Sequence, residues 1–189
     1  MSINTTEASR CGLVIAAGRR IDDESGDEVR FPARHLARVA QAVERWLRET
    51  RPAQLVASAA CGADLIVLEA ARCVGVRTVV VLPFDRVAFR AASVVDRGAE
   101  WGGRFDMALA AADRVDVLDT AVRRVPPPDA DAAYTKATAA LLAVADVYRG
   151  TVCALVAWDG ASHGEQDQTA ALRDAAITRG WPVHEIRTD

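Results

Sequence analysis

Short apolar runs alternate along the chain with longer stretches in which apolar residues recur at helical spacing. Continuous apolar runs are typical of strands that are buried on both faces, since a strand with one face in water alternates apolar and polar residues. Six such runs predict six strands. They are CGLVIAAG, QLVASA, RTVVVLPF, RVDVLD, TVCALVAW and PVHEI.

The stretches between the runs predict amphipathic helices with one buried side. Leu36, Val39, Val43 and Leu47 lie on one stripe of the first helix, and the later ones cover roughly residues 63–74, 102–113, 131–148 and 167–179. A shorter helix or irregular segment is expected around residues 86–97. Because parallel neighbours need crossover connections, this alternation predicts an α/β fold. We expect a three-layer Rossmann-like sandwich with a mainly parallel sheet of about six strands.

Length and composition favour one compact domain. The chain has 189 residues, of which 51% are hydrophobic, enough to bury a full core. We expect a flexible N-terminus over residues 1–10 and a single α/β domain over residues 11–189. The proline-rich stretch RRVPPPDADA, residues 123–132, cannot continue a strand or a helix and predicts a surface loop or lid.

Charge and aromatic content exclude several classes of partner. The chain carries 23 Lys+Arg against 26 Asp+Glu, a formal net charge of -3, and 5% aromatic residues. Nucleic-acid binding typically needs a basic surface, and single-strand binding also needs stacking aromatics. No stretch is apolar for the roughly 18 residues that a membrane span requires, and the start lacks the pattern of a secretion signal. We expect a cytoplasmic protein without a nucleic-acid or membrane partner.

The cysteines and histidines form no recognisable pattern. Four cysteines without Cys-x-x-Cys spacing do not suggest a disulfide framework, so reduced thiols are expected. His35, His163 and His184 have no spacing typical of a metal site. The sequence therefore predicts no metal, no cofactor and no Ser/His/Asp set. The cysteines are Cys11, Cys61, Cys73 and Cys153.

Unusual residues collect where the predicted strands end. In an open α/β sheet, ligands bind beyond the carboxyl ends of the strands, near helix N-termini. Gly18, Arg19 and Arg20 follow the first strand, and the small residues from Ser58 to Gly62 follow the second. Small residues leave the backbone bare, so they favour either a phosphate cradle that Arg19 or Arg20 assists, or close packing of the next helix.

Other strand-end residues also have two interpretations. Asp64 caps the second helix or contacts a ribose hydroxyl, and Thr169 caps a helix or holds a polar group. Arg90, one helical turn from Arg86 and near Ser93, belongs to a phosphate clamp or to a solvated cationic face. Pro83 closes the third strand, and Asp159 and Gly160 close the fifth.

These motifs together resemble the SLOG superfamily, which contains the LOG phosphoribohydrolases, also described as lysine decarboxylase-like, and the DNA-processing protein DprA. The resemblance rests on Ser58-Ala59-Ala60-Cys61-Gly62-Ala63-Asp64 and Val81-Leu82-Pro83-Phe84, and covers roughly residues 11–187. It is closest to modules that accompany bacterial signalling and defence effectors. Further matching segments are Gly18-Arg19-Arg20-Ile21-Asp22, Phe89-Arg90-Ala91-Ala92-Ser93-Val94 and Trp158-Asp159-Gly160.

The resemblance implies a nucleotide-binding domain, but the hydrolase motif is incomplete. LOG hydrolases carry Pro-Gly-Gly-x-Gly-Thr-x-x-Glu, whereas here Thr169 remains, Leu172 stands in the glutamate's place and one glycine is left. Cleavage of an N-glycosidic bond needs a carboxylate near the anomeric carbon. Candidate replacements are Glu165, Asp159 and Glu69, and the spacing selects none of them.

Three functions follow from the resemblance. The first is a module that senses a nucleotide or nucleotide-derived molecule, and the second is a nucleoside 5'-monophosphate N-glycosidase or a deoxyribosyltransferase-like enzyme. The third, a DprA-like single-strand DNA binder, conflicts with the charge and aromatic content. The resemblance also suggests a homo-oligomer or a part of a larger effector. Apolar residues Leu141, Leu142, Val144 and Ala145 would suit such an assembly or an ordinary core.

Overall fold

The computed structural model describes residues 11–23, 29–122 and 125–189, and the expected flexible N-terminus over residues 1–10 lies outside them. The described chain contains six strands and six α-helices, which alternate except between the third and fourth strands, where two helices follow one another. The strands are β1 Leu13–Gly18, β2 Gln54–Ala57, β3 Arg77–Leu82, β4 Arg114–Val117, β5 Val152–Trp158 and β6 Val183–Arg187. The helices are α1 Leu36–Thr50, α2 Ala63–Val74, α3 Arg86–Ser93, α4 Glu100–Ala111, α5 Ala130–Asp146 and α6 Gln168–Thr178.

The six strands form one parallel sheet in the order β4-β3-β2-β1-β5-β6. The chain starts in the middle of the sheet, moves outward through β2, β3 and β4, and returns to the other side of β1 with β5. The direction of travel therefore reverses between β1 and β5. In open α/β sheets a crevice forms at this reversal, beyond the carboxyl ends of the strands.

Helices cover both faces of the sheet and complete the predicted three-layer sandwich. Alternate residues of a strand point to opposite faces, so Val14 of β1 joins one core cluster and Ile15 joins the other. Helices α1 to α4 supply buried residues to the first cluster, and α5 and α6 supply them to the second. All seven residues of β5 are buried, as the continuous apolar run TVCALVAW predicted.

The connections at the carboxyl edge differ in length. Only residues 58–62 join β2 to α2, whereas residues 19–35 join β1 to α1 and include a short 3-10 helix. The short connection places the first turn of α2 beside the end of β1. The region predicted as a shorter helix or irregular segment contains α3. Asp85 caps the N-terminus of this helix, because its carboxylate accepts hydrogen bonds from the Val87 and Ala88 amides at 3.0 and 3.2 Å.

The expectation of four reduced thiols is wrong for one pair, because Cys11 and Cys153 form a disulfide. Cys11 precedes β1, and Cys153 lies on the neighbouring strand β5, so the sheet brings their Cα atoms to 5.8 Å. That separation is within the range in which a disulfide forms. The two cysteines are 142 residues apart in the sequence, so spacing along the chain did not reveal the pair. Cys61 and Cys73 are free thiols.

The apolar side of α5 is accounted for within the chain. Leu141 and Ala145 are buried in the second core cluster, and Leu142 and Val144 pack against it. These residues do not require a second copy, and the expected homo-oligomer stays a prediction. Among the residues that the structure describes, no helix combines the length and the apolar character needed to cross a bilayer.

Candidate functional site

A cavity of about 760 Å³ opens at the carboxyl edge of the sheet, at the reversal between β1 and β5. Sites for small molecules and cofactors typically have volumes between about 300 and 1,000 Å³. Its walls are formed by the end of β1, the start of α2, helices α3 and α5, and the start of α6. Its polar lining includes Arg19, Arg20, Asp22, Asp23, Arg30, Ser58, Asp64, Ser93, Arg97, Tyr134, Thr138, His163, Gln166, Asp167, Gln168 and Thr169.

The α2 turn, residues 58–62, uses much of its backbone hydrogen bonding inside the protein. The Ala60 amide donates to the Asp64 carboxylate at 3.3 Å. The Cys61 amide donates to the Ser93 carbonyl at 2.9 Å, and the Ala63 amide, just after the turn, donates to the Arg19 carbonyl at 3.0 Å. A phosphate cradle needs several converging amides, and these three already have partners within the chain.

The bare backbone of the turn also has an internal explanation. Gly62 has φ 100°, and a Cβ there would lie 2.5 Å from the Ile21 nitrogen and 2.7 Å from the Arg19 carbonyl oxygen. Gly18 has no room for a Cβ either, because it would meet Ala63 and the Ala157 carbonyl. The element that approaches the small residues of the turn is therefore the segment after β1. This geometry corresponds to the close-packing interpretation.

Asp64 lies in the first turn of α2 and reaches the cavity wall, although its exposed fraction is 8%. It is not the N-cap, which is Gly62. Its carboxylate accepts hydrogen bonds from the amides of Ala60 and Gly18. Burial raises the pKa of Asp64 to about 7, although these amides and the positive charge of Arg20 oppose the increase. Within the described chain Asp64 has no ion-pair partner.

Arg19 also borders the cavity, and its guanidinium group has three partners within the chain. It is 7% exposed, donates to Asp159 and Asp167 at 2.7 Å each, and donates to the Ala161 carbonyl at 2.6 Å. Burial would raise the pKa of Asp167, but hydrogen bonds from Arg19 and from the Ala170 and His163 amides lower it to about 2. Arg19 therefore fastens the segment after β1 to the β5–α6 loop, residues 159–167.

A second pair of arginines borders the cavity beside the short 3-10 helix Val95–Arg97. Arg20 pairs with Asp96 and contacts the Cys61 sulfur at 3.5 Å, and Arg97 pairs with Asp23 at 3.0 Å. In both arginines Nε is buried and has no hydrogen-bond acceptor in the described parts of the chain, although the Arg97 Nε lies 3.6 Å from an Asp96 carboxylate oxygen. We call Arg20 and Arg97 the arginine end of the cavity.

Helices α3, α5 and α6 complete the walls. Ser93 and Tyr134 share a hydrogen bond of 2.7 Å between their hydroxyl oxygens, and Thr138 donates to Gln168 at 2.8 Å. Apolar lining comes from Phe89, Ala137 and Leu141. The cavity therefore combines an apolar surface suited to a planar ring with hydroxyl and amide groups suited to a sugar.

The charges of the lining are balanced. Four arginines, Arg19, Arg20, Arg30 and Arg97, face four aspartates, Asp22, Asp23, Asp64 and Asp167. Such a lining does not concentrate polyanions, because its formal charges sum to zero apart from His163. No group of three or more His, Cys, Asp or Glu residues placed to hold a metal ion occurs among the described residues.

The predicted ligand-binding residues divide into two groups. Those in the cavity lining are Gly18, Arg19, Arg20, Ser58, Asp64, Ser93 and Thr169. Gly62, Pro83, Asp159 and Gly160 lie outside the lining. Arg90 pairs with Asp106 at 3.3 Å, and both border a separate groove between α3 and α4.

The three candidate catalytic carboxylates lie outside the cavity lining. Glu69 pairs with Arg104 of α4 at 2.6 Å, and Asp159 pairs with Arg19 and His163. Glu165 is exposed in the β5–α6 loop. In their places the cavity presents Asp64, which the sequence indicated only as a cap or a ribose contact.

Sequence reasoning missed the contribution of α5. Tyr134, Thr138 and Leu141 lie one helical turn apart on one side of that helix and face the cavity. Their spacing is also that of an ordinary buried stripe. Two polar residues within the stripe, Tyr134 and Thr138, could have indicated the cavity, since a buried hydroxyl group needs a hydrogen-bond partner.

Comparisons with known proteins add no family to this geometry. A scan against protein-family models finds no match, and a search of curated proteins finds no relative. The interpretation of the cavity therefore depends on its own residues.

Proposed function

We propose that this protein binds a nucleotide or nucleotide-derived small molecule in the cavity at the carboxyl edge of the sheet and acts as a sensor of it. The observation that carries the proposal is the position of the cavity, at the reversal of the strand order, with an apolar wall and several hydroxyl and amide groups. The SLOG resemblance at the strand ends points to the same class of ligand. Binding would act by changing conformation or assembly.

The positions of the candidate acids favour binding over chemistry. Glu69 and Asp159 are engaged in ion pairs, and Glu165 lies outside the lining. A carboxylate that assists glycosidic cleavage has to reach the anomeric carbon. None of the three does so for a ligand held in the cavity.

An N-glycosidase is the alternative function, and one observation favours it. Asp64 borders the cavity, has no ion-pair partner in the described chain, and has a pKa raised by burial to about 7. An acid that is partly protonated at neutral pH is suited to general acid catalysis. If the protein cleaves nucleotides, Asp64 is the residue that we expect to take part.

The test is a thermal-unfolding screen against nucleosides, nucleoside monophosphates, dinucleotides, cyclic nucleotides and ADP-ribose, followed by analysis of each mixture for free base. A ligand at about one hundred times its Kd adds about 2.7 kcal/mol to the free energy of unfolding. Stabilisation with the ligand recovered intact supports a sensor, and release of free base supports the glycosidase. Absence of stabilisation by every compound contradicts the proposal.

A pair of variants tests whether the ligand binds in the cavity. Ser58 borders the cavity and is half-buried, so Ser58→Phe fills part of the space and should abolish the stabilisation. Ala139→Phe places the same ring on the exposed side of α5 and should leave it unchanged. Equal effects of the two variants would locate binding elsewhere.

A further inference from the structure

Two neighbouring parts of the cavity lining offer different chemistry to a ligand, and Arg20, which contacts Cys61, adjoins both. At the α2 turn, amides 60, 61 and 63 have partners within the chain, and the Asp64 carboxyl group is the polar side chain in reach. At the arginine end, the guanidinium groups of Arg20 and Arg97 border the cavity, where Arg20 pairs with Asp96 and Arg97 pairs with Asp23 and Asp96. A ligand with one anionic and one neutral group therefore meets both guanidinium groups and a carboxyl group in this cavity.

We propose that Asp64 determines the orientation of the ligand: it accepts a hydrogen bond from a sugar hydroxyl or an amino group, and it keeps phosphate away from the α2 turn. This inference rests on the proposed function, since it concerns the same cavity. It assigns a nucleoside-like ligand with no more than a single phosphate, and it places the sugar at α2 and the phosphate at the arginine end.

The hydrogen-bonding capacity of Asp64 supports the first half of the proposal. An ionised carboxylate has about four acceptor sites, and the amides of Ala60 and Gly18 use two of them. The carboxyl group has no cationic partner in the described chain, so it retains acceptor capacity toward the cavity. The half-buried Ser58 beside it adds a hydroxyl group that can donate or accept.

Electrostatics support the second half. A phosphate at the α2 turn would lie next to a carboxyl group in a poorly solvated place, where the ionised form of that group would repel it strongly. The balanced charge of the lining gives no surplus to overcome several phosphates. Arginine is well suited to phosphate because its planar fork presents several donors at once. Arg20 and Arg97 are therefore the better location for one phosphate group.

The experiment measures the Kd of matched nucleosides and nucleoside 5'-monophosphates, adenosine with AMP, guanosine with GMP, cytidine with CMP and uridine with UMP. The proteins are the wild type, Asp64→Asn and Arg97→Gln. We expect Asp64→Asn to weaken the nucleoside and the monophosphate alike, by about tenfold, since in both a hydrogen bond to a charged carboxylate becomes one to a neutral amide oxygen. We expect Arg97→Gln to weaken the monophosphate by about tenfold and the nucleoside by less than about twofold.

Several results would overturn the inference. Tighter binding of the monophosphate to Asp64→Asn would place the phosphate at the α2 turn, because loss of the negative charge would then relieve repulsion. An unchanged monophosphate Kd in Arg97→Gln would show that the phosphate does not bind at the arginine end. This result can be obtained even if Asp64→Asn does not fold. If the wild type binds no member of any pair, the proposed function itself fails for these ligands, which is a different outcome from binding in the wrong orientation.

Discussion

The α2 turn and the β5–α6 loop border the same cavity, but their polar groups are satisfied in different ways. At the turn, backbone amides bond within the chain, and Asp64 keeps a carboxyl group without an ion pair in the described structure. At the loop, Arg19 forms ion pairs with both Asp159 and Asp167. Charged residues beside one cavity can thus pair with one another, as at the loop, or keep a carboxyl group without an ion pair, as at the turn.

Arg19→Ala is expected to give the largest effect. It leaves two carboxylates, Asp159 and Asp167, without their cationic partner in a buried place, which costs about 3 to 5 kcal/mol of unfolding free energy. Urea unfolding measures the loss. The control is Arg90→Ala, which breaks the exposed pair with Asp106 and should change stability by less than about 1 kcal/mol. Similar losses in both variants would mean that Arg19 is not a structural clamp.

Asp64→Asn is expected to change the pH dependence of stability. The pKa of Asp64 rises from 3.8 to about 7 on folding, so between those values the folded state holds a proton that the unfolded state has released. The contribution of Asp64 to the free energy of unfolding is therefore fully present below about pH 4. It is lost as the pH rises through about 7, and the loss amounts to at most about 4 kcal/mol.

The measurement is the unfolding free energy of the wild type minus that of Asp64→Asn, from pH 4 to pH 8. Groups common to both proteins cancel in this difference, which should fall as the pH rises. A difference that stays constant over the range would show that the pKa of Asp64 is not raised.

Gly62→Ala is expected to destabilise the free protein by about 2 to 3 kcal/mol, since φ 100° is strained for alanine and its Cβ would meet the segment after β1. Chemical denaturation without ligand measures it, with Gly103→Ala as the control, because a Cβ at Gly103 meets nothing within 4 Å. If Gly62 instead served close approach of a ligand, Gly62→Ala would keep its stability and lose only binding.

The sheet could be predicted from the sequence, but the long-range contacts around the cavity could not. The six strands follow from continuous apolar runs, and Gly18, Ser58 and Asp64 were placed at the correct edge because parallel strands end together. The partners of Arg19 lie 140 and 148 residues away, so no local pattern revealed that its charge is compensated. The same limit applies to the Cys11–Cys153 disulfide and to Tyr134, whose helical spacing is that of any buried stripe.

The smallest expected effect concerns Glu69, a candidate catalytic residue that lies outside the cavity lining. Glu69→Gln removes its pair with Arg104 and should change stability by less than about 1 kcal/mol, since this pair is partly exposed. Thermal unfolding with and without a bound nucleotide should give the same ligand-induced shift as in the wild type. Loss of that shift would connect α2 and α4 to the ligand.

The most direct test is a crystal structure of the protein with the nucleoside 5'-monophosphate that it binds most tightly. We expect the ligand in the cavity at the carboxyl edge of the sheet, with a sugar hydroxyl or amino group on the Asp64 carboxyl group and the phosphate beside Arg20 and Arg97. A phosphate on the amides of residues 60–63 would contradict the orientation, and a ligand outside the cavity would contradict the proposed function.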